Sequence, residues 1–108
     1  MKDKKPTLIP QGADKKVLIQ LTNLPDGETM DSIDFDVTFS AGYQEVTLSK
    51  NQLKKIDGKY YFPLATKDLG IGDLMLRVNV SVPDEDFEDG VRNEPLVYDM
   101  NAKIVKPW

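Results

Sequence analysis

The sequence predicts an all-β protein: an antiparallel immunoglobulin-like β-sandwich of about six to eight strands, with at most one or two short helical turns. Apolar residues recur at every second position in several stretches, and turn residues separate these stretches. No stretch of ten residues has the spacing of an amphipathic helix. At 108 residues the chain has the size of one such domain, which buries roughly two-thirds of its unfolded surface. A small β-barrel is the alternative fold.

The strongest strand signal lies between Gly72 and Pro83. Every second residue in this stretch is aliphatic, namely Leu74, Leu76, Val78, Val80 and Val82. The residues between them are mostly polar, so one face of this strand is predicted to be buried and the other to face water. The strand is predicted to end at Pro83, because proline cannot donate a hydrogen bond to a neighbouring strand.

The chain is predicted to consist of a flexible N-terminal arm, residues 1–13, and a single β-sandwich domain, residues 14–108. The arm mixes charged residues, prolines and glycine and has little to bury. The first predicted strand is Lys15–Thr22. A turn is predicted directly after it, from Asn23, Pro25, Asp26 and Gly27.

Three further strands and two short helical turns are predicted in the middle of the chain. The strands cover residues 32–40, 45–49 and 59–64, each with its apolar residues on one face. Ser49 and Gln52 have the spacing of a capping box, which predicts one helical turn. Asp57-Gly58 predicts a tight hairpin turn, because glycine tolerates a positive φ. A second single helical turn is predicted at residues 66–69.

The last strand is predicted at Leu96–Val105, and we expect it to be an edge strand that can pair with a neighbour. The connection before it is unusually acidic. Its carboxylates suit calcium, but their spacing lacks the glycine and the bidentate glutamate of an EF-hand loop. We therefore interpret it as a solvated connection whose carboxylates, at Asp84, Asp86, Glu88 and Asp89, cap turns and pair with Arg92. Phe87 is expected to fold back over the end of the sandwich, and would be a partner contact if exposed.

The composition disfavours several classes of function. A net charge of −4 disfavours nucleic acid as a partner. The sequence contains no Cys and no His, and therefore lacks disulfides, thiolate metal ligands and the commonest general base. No apolar run approaches the ~20 residues of a membrane span, and the first residues do not resemble a signal peptide. We expect a protein that is made in the cytoplasm and uses no cofactor, metal or membrane.

Two alternative functions stay open. Tyr61 and Trp108 could stack on sugar rings, as in a carbohydrate-binding module, although packing at the core edge or a subunit contact is the favoured interpretation of these aromatics. Carboxylates of residues 84–94 could serve a small hydrolase, but such pairs are frequent here and the serines have no His to activate them. We predict no enzyme and no catalytic residues. The candidate partner contacts are Asp84, Asp86, Phe87, Asp89, Arg92, Tyr61 and Trp108.

Three segments in a fixed order resemble a known family. They are Leu53-x-x-Ile56-Asp57-Gly58-Lys59-Tyr60-Tyr61, then Leu69-Gly70-x-Gly72-x-Leu74, then Val82-Pro83-Asp84-x-Asp86-Phe87-x-Asp89-Gly90-x-Arg92-x-Glu94. Over about residues 32 to 106 the chain resembles small Ig-like domains encoded by phages and prophages of gut Bacteroidales. The resemblance implies an attachment module of a virion fibre or baseplate protein. It further implies a homo-oligomer, often a trimer, that is made in the host cytoplasm and contacts other virion proteins in the particle. Carbohydrate is a less favoured partner.

Overall fold

The computed structural model describes residues 5–22, 24 and 27–108 of the chain. Over these residues it contains eight strands and two short 3₁₀ turns, which confirms the predicted all-β class. The strands are β1 (Thr7–Pro10), β2 (Asp14–Ile19), β3 (Asp34–Ala41), β4 (Gln44–Ser49), β5 (Lys54–Ile56), β6 (Lys59–Ala65), β7 (Gly72–Pro83) and β8 (Val91–Val105). The 3₁₀ turns, Lys50–Gln52 and Thr66–Asp68, lie where helical turns were predicted. No helix in the described part of the chain is long and apolar enough to cross a membrane.

The strands form two sheets in the immunoglobulin arrangement. One sheet has the order β1-β8-β7-β3-β4 and the other has the order β2-β6-β5. If β2 to β8 are given the immunoglobulin letters B, C, C′, D, E, F and G, the sheets read G-F-C-C′ and B-E-D. The neighbouring strands are antiparallel except for β1, which runs parallel to the end of β8. The predicted sandwich is therefore confirmed, with β1 as a parallel addition at one edge.

The core fills the space between the two sheets. The alternating aliphatic residues of β7 are all buried, with at most 9% of each exposed, as the sequence pattern predicts. Phe39 of β3 packs edge-to-face on Phe62 of β6, with ring centroids 4.7 Å apart. Phe35 and Tyr60 make a similar contact at 5.8 Å. Because each pair joins one sheet to the other in a favourable aromatic geometry, these contacts hold the two layers together.

Two turns depend on glycine. The predicted Asp57-Gly58 turn joins β5 to β6 with positive φ at both residues, 52° and 78°, which is the geometry that matches the twist of a hairpin. Gly42, in the β3–β4 turn, lies against Gly70 before β7. A Cβ atom on Gly70 would lie only 2.5 Å from the Gly42 carbonyl oxygen, so residues with a side chain do not fit this approach.

The N-terminal segment differs from the prediction of a flexible arm over residues 1–13. Thr7–Pro10 form β1, and Ile9 is 7% exposed, so this part of the segment belongs to the larger sheet. Its partner is Ala102–Val105, near the other end of the chain. A four-residue strand with so distant a partner leaves no local pattern in the sequence. Residues 1–4, and Asn23, Pro25 and Asp26 of the predicted turn, lie outside the described residues.

The last strand is longer than predicted, because β8 begins at Val91 instead of Leu96. It continues the hairpin with β7 up to the pair Pro83–Val91. The residues from 91 to 95 are largely polar, and pairing with a strong neighbouring strand stabilises them without an alternating apolar pattern. The three-residue strand β5 was also missed, since its sequence, Lys54-Lys55-Ile56, has no alternating apolar pattern.

Candidate assembly surface

The acidic connection, residues 84–90, is a hairpin loop between β7 and β8. The Asp84 N–H donates to the Gly90 carbonyl oxygen at 2.9 Å, and the Gly90 N–H donates to the Phe87 carbonyl oxygen at 2.8 Å. The Asp84 side chain accepts a hydrogen bond from the Asp86 N–H at 3.0 Å, which caps the turn as the sequence predicts. Phe87 is 48% exposed at the tip and does not fold back over the sandwich as expected.

Arg92 holds the base of this hairpin. Its guanidinium forms one salt bridge with the Asp84 carboxylate and a second with Glu94, whose Oε1 lies 3.0 Å from Arg92 Nε. The contact with Glu94, followed by that with Asp84, raises the pKa of Arg92. Of the candidate contacts in this segment, two therefore pair within the hairpin, while the others are exposed: Asp86, Phe87 and Asp89.

Tyr61 and Trp108 lie on different parts of the fold. Tyr61 is in β6, between Leu18 of β2 and Lys54 of β5, on the outer face of the smaller sheet. Trp108 follows the end of β8 in the larger sheet and is 91% exposed. The two rings therefore start from different sheets, and the carbohydrate-binding alternative, which relies on either ring alone, stays a prediction.

A polar cluster that the sequence analysis missed lies beside β5 and β6. Asp31 Oδ1 accepts hydrogen bonds from Lys55 Nζ at 2.8 Å and from the Tyr60 hydroxyl at 2.7 Å. The bond from Lys55, followed by that from Tyr60, lowers the pKa of Asp31, and the bond to Asp31 raises the pKa of Lys55 and of Tyr60. Lys50 Nζ donates to the main-chain oxygens of Asp31 and Ile33 at 2.8 and 2.7 Å. The cluster therefore anchors the segment that leads into β3.

This cluster borders an open groove of about 530 Å³ that also includes Ser49, Asn51 and Leu53. The polar side-chain atoms of the cluster are largely hydrogen-bonded to one another or to the main chain, which is typical of residues that stabilise a fold. The sequence holds no signal for it, because Asp31 lies in a connection without periodicity and its partners come from a separate hairpin.

The larger sheet has an edge that is only partly covered. β1 pairs with β8 from Ala102 to Val105 and stops there. Among the residues that the structure describes, no strand pairs with the same side of β8 over the eleven residues Val91–Asn101. Asn101 has a positive φ of 50° next to an irregularity in the β7–β8 pairing. The predicted edge strand is therefore open in its first two-thirds, and β1 covers its last residues.

The hydrogen-bond pattern of the β7–β8 hairpin shows which main-chain groups face this edge. Because the Asp84 N–H bonds to the Gly90 oxygen, hydrogen-bonded and non-hydrogen-bonded pairs alternate along the ladder from that point. Pro83 and Pro95, which have no N–H, both fall at non-bonded positions, in agreement with this assignment. The main-chain groups that point to the open side are those of Val91, Asn93, Pro95, Val97 and Asp99.

An apolar groove of about 400 Å³ runs beside the open edge, between β8 and β2 of the other sheet. Its apolar lining includes Leu18, Leu21, Leu76, Tyr98 and Met100. Tyr98 is 41% exposed, and Val97, on the outer face of β8, is 65% exposed. Exposed apolar side chains beside unpaired main-chain groups are typical of an edge that binds another strand. We call Val91–Asn101 together with this groove the open β8 edge.

Comparisons with protein-family models, with curated proteins and with solved structures found no match to this chain. Within the described part of the chain, no three His, Cys, Asp or Glu side chains converge as a metal site requires.

Proposed function

We propose that the chain is a non-enzymatic assembly domain of a phage or prophage virion, of the fibre or baseplate attachment type, which acts through protein–protein contacts. The observation that carries the proposal is the open β8 edge, where a rigid sandwich presents unpaired main-chain groups beside exposed Val97 and Tyr98. An edge of this kind binds an added strand through main-chain hydrogen bonds, while adjacent apolar pockets accept its side chains. The partners are other copies of the chain and other virion proteins.

The charge distribution supports contacts between proteins. The β7–β8 hairpin carries exposed carboxylates at its tip, and the segment 50–59 carries several exposed lysines. Surfaces of opposite charge on one small domain favour docking by complementary charge, which speeds association and selects an orientation. The resemblance of residues 32 to 106 to phage and prophage Ig-like domains supports the virion setting.

The experiment that tests this proposal measures the chain in purified particles. Particles of the phage or induced prophage that encodes the chain are separated on a density gradient and examined by quantitative mass spectrometry, with an abundant host cytoplasmic protein as the control for contamination. We expect the chain to sediment with tail proteins in a fixed ratio, and a gold-labelled antibody to mark a fibre or baseplate. Recovery only in the soluble fraction would contradict the virion function.

A further inference from the structure

We infer that the partner of the open β8 edge is the same edge of a second copy, paired antiparallel about a twofold axis at Leu96. The inference rests on the proposed assembly function and names the partner of that surface. The limits of the edge determine the register. The hairpin turn at Gly90 ends it on one side, and β1 covers β8 from Ala102 on the other. An antiparallel pairing of Val91–Asn101 with itself over its full length is centred on the middle residue, Leu96.

In this register, the side chains of residues 93–99 meet compatible side chains of the second copy. These facing pairs are Leu96 with Leu96, Pro95 with Val97, Glu94 with Tyr98, and Asn93 with Asp99. At the ends of the edge, Arg92 faces Met100 and Val91 faces Asn101. A tyrosine hydroxyl and an amide N–H can each donate to the carboxylate that faces them. No two like charges lie opposite each other, and opposed like charges are what destabilises directly facing strand pairs.

Other registers fit less well. A pairing centred on Pro95 places two prolines opposite each other, and neither can donate a hydrogen bond. A pairing centred on Val97 places Val91 and Arg92, the first residues of the edge, opposite Lys103 and Ala102, which β1 already covers, and so leaves them without a partner strand. The register centred on Leu96 is thus the one in which the length of the edge and the chemistry of its residues agree.

The main-chain groups on the open side also match in this register. Asn93 and Asp99 exchange hydrogen bonds in both directions, and each Val97 N–H donates to the Pro95 oxygen of the other copy. The pairing has about six main-chain hydrogen bonds, since Pro95 lacks the return donor. It joins the two five-stranded sheets into one continuous sheet and covers the exposed Val97 and Tyr98.

Single-cysteine variants test this pairing without background, because the sequence contains no Cys. Leu96→Cys places two thiols in a non-hydrogen-bonded pair with Cα atoms about 4.5 Å apart, a separation that a disulfide can span. Val97→Cys is the matched control. Val97 is the adjacent residue and is more exposed than Leu96. In the proposed pairing, however, the two Val97 residues lie diagonally across from each other, about 7–8 Å apart, and a disulfide does not span this distance without backbone movement.

We expect mild oxidation of the full chain to give covalent dimers at least about tenfold faster for Leu96→Cys than for Val97→Cys. Equal rates, or faster reaction of Val97→Cys, would overturn the register. If neither folded variant forms covalent dimers faster than it does in denaturant, the self-pairing is overturned. If Leu96→Cys does not fold, a mixture of Glu94→Cys and Tyr98→Cys tests the same register. In an equimolar mixture, random pairing gives twice as much mixed dimer as either homodimer. We expect the mixed dimer to exceed this twofold ratio clearly, and a mixed dimer at or below that ratio would overturn the register.

The crosslinking experiment tests the pairing, and the particle measurement tests the virion function, so each claim can be wrong without the other. If the chain is found in particles but Leu96→Cys is not selectively crosslinked, the pairing is wrong and the assembly function stands. If the crosslink is selective but the chain is absent from particles, the virion function is wrong and the pairing stands.

Discussion

Replacing Val97 with proline removes a hydrogen-bond donor from the open β8 edge while leaving the monomer intact. The Val97 N–H points away from β7, so proline at this position deletes no hydrogen bond inside the monomer. The Leu96 N–H bonds to β7, which makes Leu96→Pro the matched variant that damages the fold. At concentrations where the chain is monomeric, we expect Val97→Pro to change the free energy of unfolding by less than about 1 kcal/mol. Leu96→Pro should lower it by about 2–3 kcal/mol.

The effect of Val97→Pro on the pairing of two copies is larger. The substitution removes two of the about six main-chain hydrogen bonds between the copies. At about 0.5–1.5 kcal/mol for each bond, the dimer loses about 1–3 kcal/mol. The dissociation constant should then rise roughly 5- to 150-fold.

Sedimentation equilibrium measures this dissociation constant, and urea denaturation at concentrations where the chain is monomeric measures monomer stability. Two results would refute the reasoning. One is a Val97→Pro protein that pairs as tightly as the wild type. The other is a Val97→Pro protein that is destabilised as much as Leu96→Pro, because the assigned direction of the Val97 N–H would then be wrong.

Three other substitutions test the fold away from this edge. Thr66 is fully buried, and its hydroxyl accepts a hydrogen bond from the Gly12 N–H at 2.9 Å and donates one to the Ala13 oxygen at 2.7 Å. Thr66→Val should lower the free energy of unfolding, measured by urea denaturation, by about 1–3 kcal/mol, because these hydrogen bonds are lost. A loss below about 0.5 kcal/mol would argue that the hydroxyl does not stabilise this contact. Gly70→Ala places a Cβ atom 2.5 Å from the Gly42 oxygen and should cost about 1–3 kcal/mol, so an unchanged melting temperature would be inconsistent with this approach. The pKa of Asp31 is lower in the folded chain than in the unfolded chain. Asp31 therefore stabilises the fold fully above the unfolded pKa, and this stabilisation is lost as the pH falls through the lower folded pKa. The urea midpoint of wild type should therefore exceed that of Asp31→Asn near pH 6, and the gap should close on acidification below about pH 4; a gap independent of pH would contradict this assignment.

The parts of the fold that could be predicted from sequence are those determined by neighbouring residues. The inward face of β7 follows from strict alternation, and the β5–β6 turn follows from Asp57-Gly58, because both signals act over a few residues. The two 3₁₀ turns are also local; the first is capped by a hydrogen bond from the Ser49 N–H to Gln52 Oε1 at 2.9 Å. Such features need no knowledge of the rest of the chain.

The parts that could not be predicted depend on distant partners. β1 is four residues long and exists because Ala102–Val105 lie beside it. Asp31 meets Lys55 and Tyr60 only after two separate segments have folded together. The open β8 edge has the same origin, since the sequence indicates an edge strand but not where β1 stops covering it. Long-range pairing therefore determines both the additions to the fold and the limits of the candidate site.

The mass of the chain in solution tests most directly the claim that it assembles through the open β8 edge. Size-exclusion chromatography with light scattering, over a range of concentrations and at low and moderate salt, compares the wild type with Val97→Pro. We expect a wild-type species of twice the 12.2 kDa chain mass that dissociates on dilution, and a Val97→Pro protein shifted to the monomer. A wild-type mass of 12.2 kDa throughout, a closed trimer, or an oligomer unaffected by Val97→Pro would contradict it.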